Sequence, residues 1–202
     1  MRTTKRDLPS QPGFSPAWAA AWLERRGWKR DIAGDVDFDM AVKAMVAICA
    51  NRSKGLLVIG AVGVGKTALA EIVRGASRMP TVRIDCGVSD SVDLLVPESD
   101  ATLNGGVYNS GIDDLMERTV LIDDLGSERV VKAYGNELDR VGNFIVRYHA
   151  RGKGRLLATT NLSGKAIEAR YGARVLDRML DMCIVLKLTG TSKRAREVVQ
   201  GA

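Results

Sequence analysis

The sequence predicts a three-layer α/β domain built on a parallel sheet, and three observations predict it. Beyond a helix ending near Asn51, short apolar runs alternate with helical segments, the texture of strands buried between helices. One run opens directly into a glycine-rich loop, Gly60-Ala61-Val62-Gly63-Val64-Gly65-Lys66-Thr67, which leads into a helical pattern from about Gly65. Another, Val120-Leu121-Ile122, ends in the paired acids Asp123-Asp124, at the edge where parallel sheets present their ligands. At 202 residues the chain suits one such domain with short appendages.

In order, residues 1–14 are mostly polar, with Pro9, Pro12 and Gly13, and read as a loose arm. Ser15 caps a short helix, Pro16 suits its first turn and Gly27 ends it. Trp18 and Trp22, four apart, share one face, either packed on the domain or left to dock a partner. A second helix over 38–51 carries Phe38, Ala41, Val42, Met45, Ile48 and Cys49 at core spacing. Strands are expected at 56–59, 81–84, 119–122, 155–159 and 184–188. Helices are expected at 65–76, at 135–150 with Leu138, Val141, Phe144, Ile145 and Tyr148 on its apolar side, and up to Met182. The expected division is an arm and helix over 1–35 and a core over 36–202.

Composition is that of an ordinary globular protein, 46% hydrophobic and 27% charged, with no run of eighteen apolar residues to cross a bilayer. The basic start lacks the apolar stretch of a secretory signal, so a soluble, cytoplasmic protein without membrane partners is expected. Cys49, Cys86 and Cys183 are odd in number and far apart, and read as buried free thiols. The net charge of +6 hides an asymmetry. From Asp85 to Glu128 eleven acids face Arg118 alone, whereas from Arg147 to Arg174 seven basic residues face only Glu168, the pattern either of a surface for a polyanionic partner or of helix faces that are solvated and complement one another between subunits.

The glycines of the 60–67 loop let backbone curl around a phosphate, and its N–H groups gather at a helix N-terminus, where the dipole favours an anion. Lys66 adds a charge for the β- and γ-phosphates, and the Thr67 hydroxyl is a Mg²⁺ ligand. Asp123 is expected to hold Mg²⁺, directly or through water. Asp124 is expected to polarise the attacking water, with Glu128 as its possible helper. A nucleoside triphosphate and Mg²⁺ are what these residues call for.

Four segments resemble the AAA+ helicase loaders of the DnaC and DnaI type and the related IstB transposition ATPases. They are the 60–67 loop, Ile122-Asp123-Asp124-Leu125-Gly126-Ser127-Glu128, Thr159-Thr160-Asn161-Leu162, and Tyr171-Gly172-Ala173-Arg174-Val175-Leu176-Asp177-Arg178-Met179. The resemblance spans about residues 38–196 and implies an AAA+ (ASCE) P-loop fold with a five-stranded parallel sheet and no helical lid. It implies that the nucleotide is ATP and that Asn161 senses the γ-phosphate. It also implies that Arg178, with Arg174 the alternative, is an arginine finger entering a neighbouring subunit's site in a homo-oligomer. Arg194, within Gly190-Thr191-Ser192-Lys193-Arg194-Ala195-Arg196, is similar to the family's second sensor, although Lys193 stands where the family has tyrosine.

The leading functional expectation is a weak, assembly-dependent ATPase of DNA replication that holds single-stranded DNA and acts on a replicative helicase or a transposase. DNA contact is expected through Lys153, Arg155 and Lys165, with Tyr108 and Tyr134 the few aromatics in loops that could face the DNA strand. Alternatives are an IstB-like transposition ATPase, a P-loop small-molecule kinase, and an adaptor that binds ATP without hydrolysing it.

Overall fold

The computed structural model describes residues 14–51, 53–77, 81–88, 111–129, 131–133 and 136–190. Helix α1, Pro16–Arg25, begins where Ser15 Oγ accepts the Trp18 N–H at 3.2 Å. A single turn, α2, Arg30–Ala33, leads through Gly34 into α3, Asp35–Ala50, which starts three residues before the sequence pattern places it. Five strands form one parallel sheet: β1 Gly55–Ile59, β2 Thr81–Asp85, β3 Thr119–Leu125, β6 Leu156–Thr160 and β7 Cys183–Lys187, in the order β2-β3-β6-β1-β7. Helix α4, Lys66–Ser77, follows β1, and α5, Gly111–Met116, precedes β3. Helix α6, Arg140–Arg151, precedes β6. Helices α7, Gly164–Tyr171, and α8, Ala173–Met182, lie between β6 and β7.

Two apolar clusters sandwich the sheet. On one side Phe38, Met45 and Ile48 of α3 meet Leu56 and Val58 of β1 and Leu69 and Val73 of α4. On the other, Val141, Phe144 and Ile145 of α6 meet Ile122, Ala158, Ile167 and Met179. Alternate residues of β1 and β3 feed opposite clusters, Leu57 and Ile122 against Leu56 and Leu121, as the pleat requires of a strand covered on both faces. Residues 14–33 belong to the first cluster through Ala19, Leu23 and Trp28. Trp18 and Trp22 stack with centroids 5.6 Å apart and pack against it, and Trp22 Nε1 donates to the Ile72 carbonyl at 3.3 Å. The aromatic face of α1 is therefore spent on its own domain. The three cysteines are buried and free, as their spacing suggests.

The helix expected over 135–150 is the largest correction. Residues 136–138 instead form β5, Asn136–Leu138, paired antiparallel with β4, Val131–Ala133, and α6 starts only after Asp139, whose carboxylate accepts the Gly142 N–H at 2.7 Å. The apolar spacing runs through Leu138 without interruption; the capping aspartate decides the boundary.

Asp37 ties the start of α3 to the chain leaving β7. It is 4% exposed, and its carboxylate accepts the N–H of Thr189 at 3.0 Å, the Thr189 hydroxyl at 3.0 Å and the N–H of Gly190 at 2.8 Å. Asp37→Ala removes the buried carboxylate that these charge-assisted bonds share and is expected to lower unfolding free energy by about 1.5–3 kcal/mol in a urea titration. A loss below about 0.5 kcal/mol, the scale of an ordinary surface change, would contradict this account.

Candidate nucleotide site

The strand order builds the site. Because β6 lies between β1 and β3, the residue after β6 is flanked by the loop after β1 and the acids ending β3. That residue is Asn161, and its Oδ1 accepts from Lys66 Nζ at 2.6 Å. The Lys66 ammonium also donates to the Ala61 carbonyl at 2.9 Å, so a 5%-exposed cation is held over the mouth of its own loop. Gly63 and Gly65 have φ of 83° and 93°, a region that residues with a Cβ rarely enter, and their conformation turns the loop into the first turn of α4. The Gly60 N–H donates to the Thr160 carbonyl, fastening the loop's start to β6.

On the other side Asp123 is the polar centre. Its Oδ1 accepts from Thr67 Oγ1 at 2.9 Å and from Thr159 Oγ1 at 2.6 Å, and its Oδ2 from Arg83 Nη2 at 2.6 Å. A bulge follows, since Ile122 pairs with Ala158 but Leu125 with Thr160, leaving one extra residue on β3. Asp124 occupies the bulge with φ of 54°, the left-handed region, and its N–H donates to Thr159 Oγ1 at 2.9 Å. Among the described residues it is the only non-glycine there, and such conformations cluster at functional sites. The bulge separates the two acids, burying Asp123 and leaving Asp124 half-buried.

A phosphate with Mg²⁺ fits this donor set. The loop and Lys66 supply anion donors, and Thr67 and Asp123 supply a hydroxyl and a carboxylate already in contact. Magnesium keeps several waters and shares phosphate oxygens, so it needs no cage of carboxylates. Among the described residues no group of three or more His, Cys, Asp or Glu side chains is placed to hold a metal ion. Arg83 occupies the outer oxygen of Asp123 and reaches Glu71 and Asp85 at 3.7 and 3.4 Å.

Ala68 lies in the first turn of α4. Arg178 lies on α8, and its nearest acidic partner is Asp177 at 3.7 Å, itself 73% exposed. Arg174, in the first turn of α8, is exposed. Arg194, Tyr108 and Tyr134 lie outside the described residues. Two expectations are corrected. Glu128 is not available to help Asp124 with water, because its carboxylate is taken up by Gly126, Arg170 and Tyr171. Arg155 is not available to DNA: it is 5% exposed and its Nη1 donates to the Ile48 carbonyl at 2.9 Å, satisfying the end of α3. Lys153 stays exposed but pairs with Glu117 at 2.7 Å, and Lys165 is exposed in the first turn of α7.

Sequence reasoning missed Thr159 and Arg83. Thr159 opens the Thr159-Thr160-Asn161-Leu162 segment but reads there as an ordinary β-former. Arg83 left one signal, a cation two residues before Asp85 on the same face of an apolar strand.

No family model and no curated protein sequence matches this chain. Among solved structures, a DnaC helicase loader aligns at 22% identity over 76% of this chain and 91% of that one, with a TM-score of 0.60. AMPPCP-bound DnaA from Aquifex aeolicus aligns at 13% identity over 83% of this chain and 50% of its own, with a TM-score of 0.51. The fold is the AAA+ P-loop fold. Its five parallel strands put β1 and β3 on either side of β6, and that order brings together residues 60–67, 123 and 161. Among the described residues no helix is long and apolar enough to cross a membrane.

Proposed function

We propose that this chain is an ATP-dependent accessory ATPase of DNA replication, similar in role to a helicase loader, whose nucleotide site is completed by a neighbouring copy. The observation that carries the reading is the meeting of Lys66 with Asn161 and of Thr67 with Asp123, from three strand ends, on one edge of the sheet. The likeness to the DnaC loader over most of both chains supports the choice among P-loop functions.

In this reading residues 60–68 bind the phosphates of ATP, and Lys66 neutralises the β- and γ-phosphates. Thr67 and Asp123 hold Mg²⁺, which when bound screens charge on the transferring phosphoryl group. Asp124 orients water, Asn161 positions the γ-phosphate and that water, and Arg194 reaches the same phosphates. Arg178 of a second copy neutralises the remaining charge. With Glu128 withdrawn, a single short carboxylate serves the water, which favours slow turnover and keeps the reading of ATP as an assembly signal in view. Single-stranded DNA and a helicase or transposase are the proposed partners; of the basic residues singled out for DNA, Lys165 and Lys153 remain.

Mass in solution, measured with and without ATP and single-stranded DNA at low salt, tests the reading. An ATP-dependent rise from monomer to oligomer, with DNA bound more tightly in the ATP state, is expected. A monomer under every condition would overturn it.

A further inference from the structure

Glu128 has a side chain only 8% exposed. Taking a carboxylate out of water costs several kcal/mol unless its partners repay it, so the partners define its role. Oε2 accepts the Gly126 N–H at 2.9 Å. Oε1 accepts the Tyr171 hydroxyl, and Arg170 Nε and Nη2 at 3.3 and 3.2 Å. Nη2 of Arg170 also donates to the Glu128 carbonyl at 2.6 Å. Burial works to raise the pKa of this carboxyl, but the Tyr171 hydroxyl, the N–H donors and Arg170 outweigh it and hold the group below the usual glutamate range.

Arg170 and Tyr171 are the last two residues of α7. The next, Gly172, with φ of 87°, both ends α7 and starts α8, and no side chain caps α8. Two helices joined by one glycine owe their mutual angle to whatever grips each of them. The far end of α8 is gripped at Asp181, which meets His149 Nε2 of α6 at 2.7 Å and whose carbonyl accepts from Lys54 Nζ. Glu128 grips the last two residues of α7, one glycine before α8 begins, and Arg178 lies on α8 between that joint and Asp181.

We propose that Glu128 serves the neighbouring subunit's site rather than its own: through Arg170 and Tyr171 it fixes the α7–α8 joint and so aims Arg178. The proposal rests on the shared-site reading above. From the joint to residue 178 the helix axis runs about 8 Å. A tilt of about 10° there displaces the guanidinium by more than about 1 Å, enough to cost on the order of 100-fold in rate. Glu128 is a positioning residue, and the carboxylate acts through two side chains of its own subunit.

Mixed assemblies separate the two directions. Arg178→Ala subunits, with an intact site, are mixed with Asp124→Asn subunits, which still offer Arg178, and recovered turnover comes from the former's sites. Glu128→Gln placed in the Asp124→Asn subunit is expected to cut that recovery at least tenfold. Placed in the Arg178→Ala subunit, it is expected to cut it less than threefold. Equal losses in the two placements, or a larger loss in the second, would overturn the proposal and return Glu128 to its own site. Absence of recovery in the parent mixture defeats the shared-site reading itself, before Glu128 is touched, and the proposal with it. Melting curves accompany each variant. If Glu128→Gln does not fold, Tyr171→Phe, which keeps the ring and removes the hydroxyl, takes its place with the same asymmetry expected.

Discussion

Alanine at Arg178 is expected to lower ATP turnover by about three orders of magnitude, the lower range for a guanidinium supplied to a phosphoryl-transfer site. Its surroundings allow that role. Arg178 is 36% exposed at its side chain, and its contact with Asp177 at 3.7 Å joins it to a mostly solvated acid. Exposed pairs of this kind contribute roughly 0–1 kcal/mol, so little holds the guanidinium back from a second copy. The residues that grip phosphates and metal belong to other elements of the same chain, so nucleotide affinity is expected to stay within about threefold, the scale of roughly 0.6 kcal/mol. Steady-state phosphate release together with fluorescent-nucleotide titration checks both halves. Turnover within about threefold of the parent would remove Arg178 from the mechanism, since a transition-state contact cannot be lost without a rate cost.

Lys66→Ala is expected to weaken ATP binding by about 100-fold, roughly 2.7 kcal/mol. Hydrogen bonds involving a charged partner contribute about 1.5–3 kcal/mol each, and this ammonium is buried where the dipole of α4 already favours an anion. Removal also leaves Asn161 Oδ1 and the Ala61 carbonyl without the Nζ donor that each has at 2.6 and 2.9 Å. The fold is expected to survive, because the lysine packs at the sheet edge and not in either apolar cluster. Titration calorimetry with Mg²⁺ and ATP reads the loss directly. Unchanged affinity would place the nucleotide elsewhere and end the site as described.

Sequence by itself determined the features that depend on neighbours along the chain. The alternation of apolar runs and helical segments predicts a parallel sheet covered on both faces, since only such strands are apolar throughout. The loop of 60–67 is legible because its function resides in consecutive backbone N–H groups. Ser15 and Gly27 mark the bounds of α1 within a residue or two because capping is a local hydrogen bond. Asp123 and Asp124 were visible as a pair, but their different fates were not: the bulge that parts them is fixed by the register of β3 on β6 and by the Thr159 hydroxyl 36 residues away.

Tertiary structure alone decided what each charge does. Arg155 and Lys153 read alike in a basic stretch, yet one carries its guanidinium inside to the carbonyl end of α3 and the other stays on the surface with Glu117. Glu128 follows the acid pair closely enough to look like its helper, and it is instead drawn to α7 by Arg170 and Tyr171. Leu138 keeps helical spacing but falls in a ribbon because Asp139 caps the helix behind it. In each case the sequence supplies the group, and the outcome is set by which distant donor or acceptor reaches it when water leaves. A buried charge must find a partner or pay for desolvation, and strand order, which no local window encodes, decides which partners are within reach.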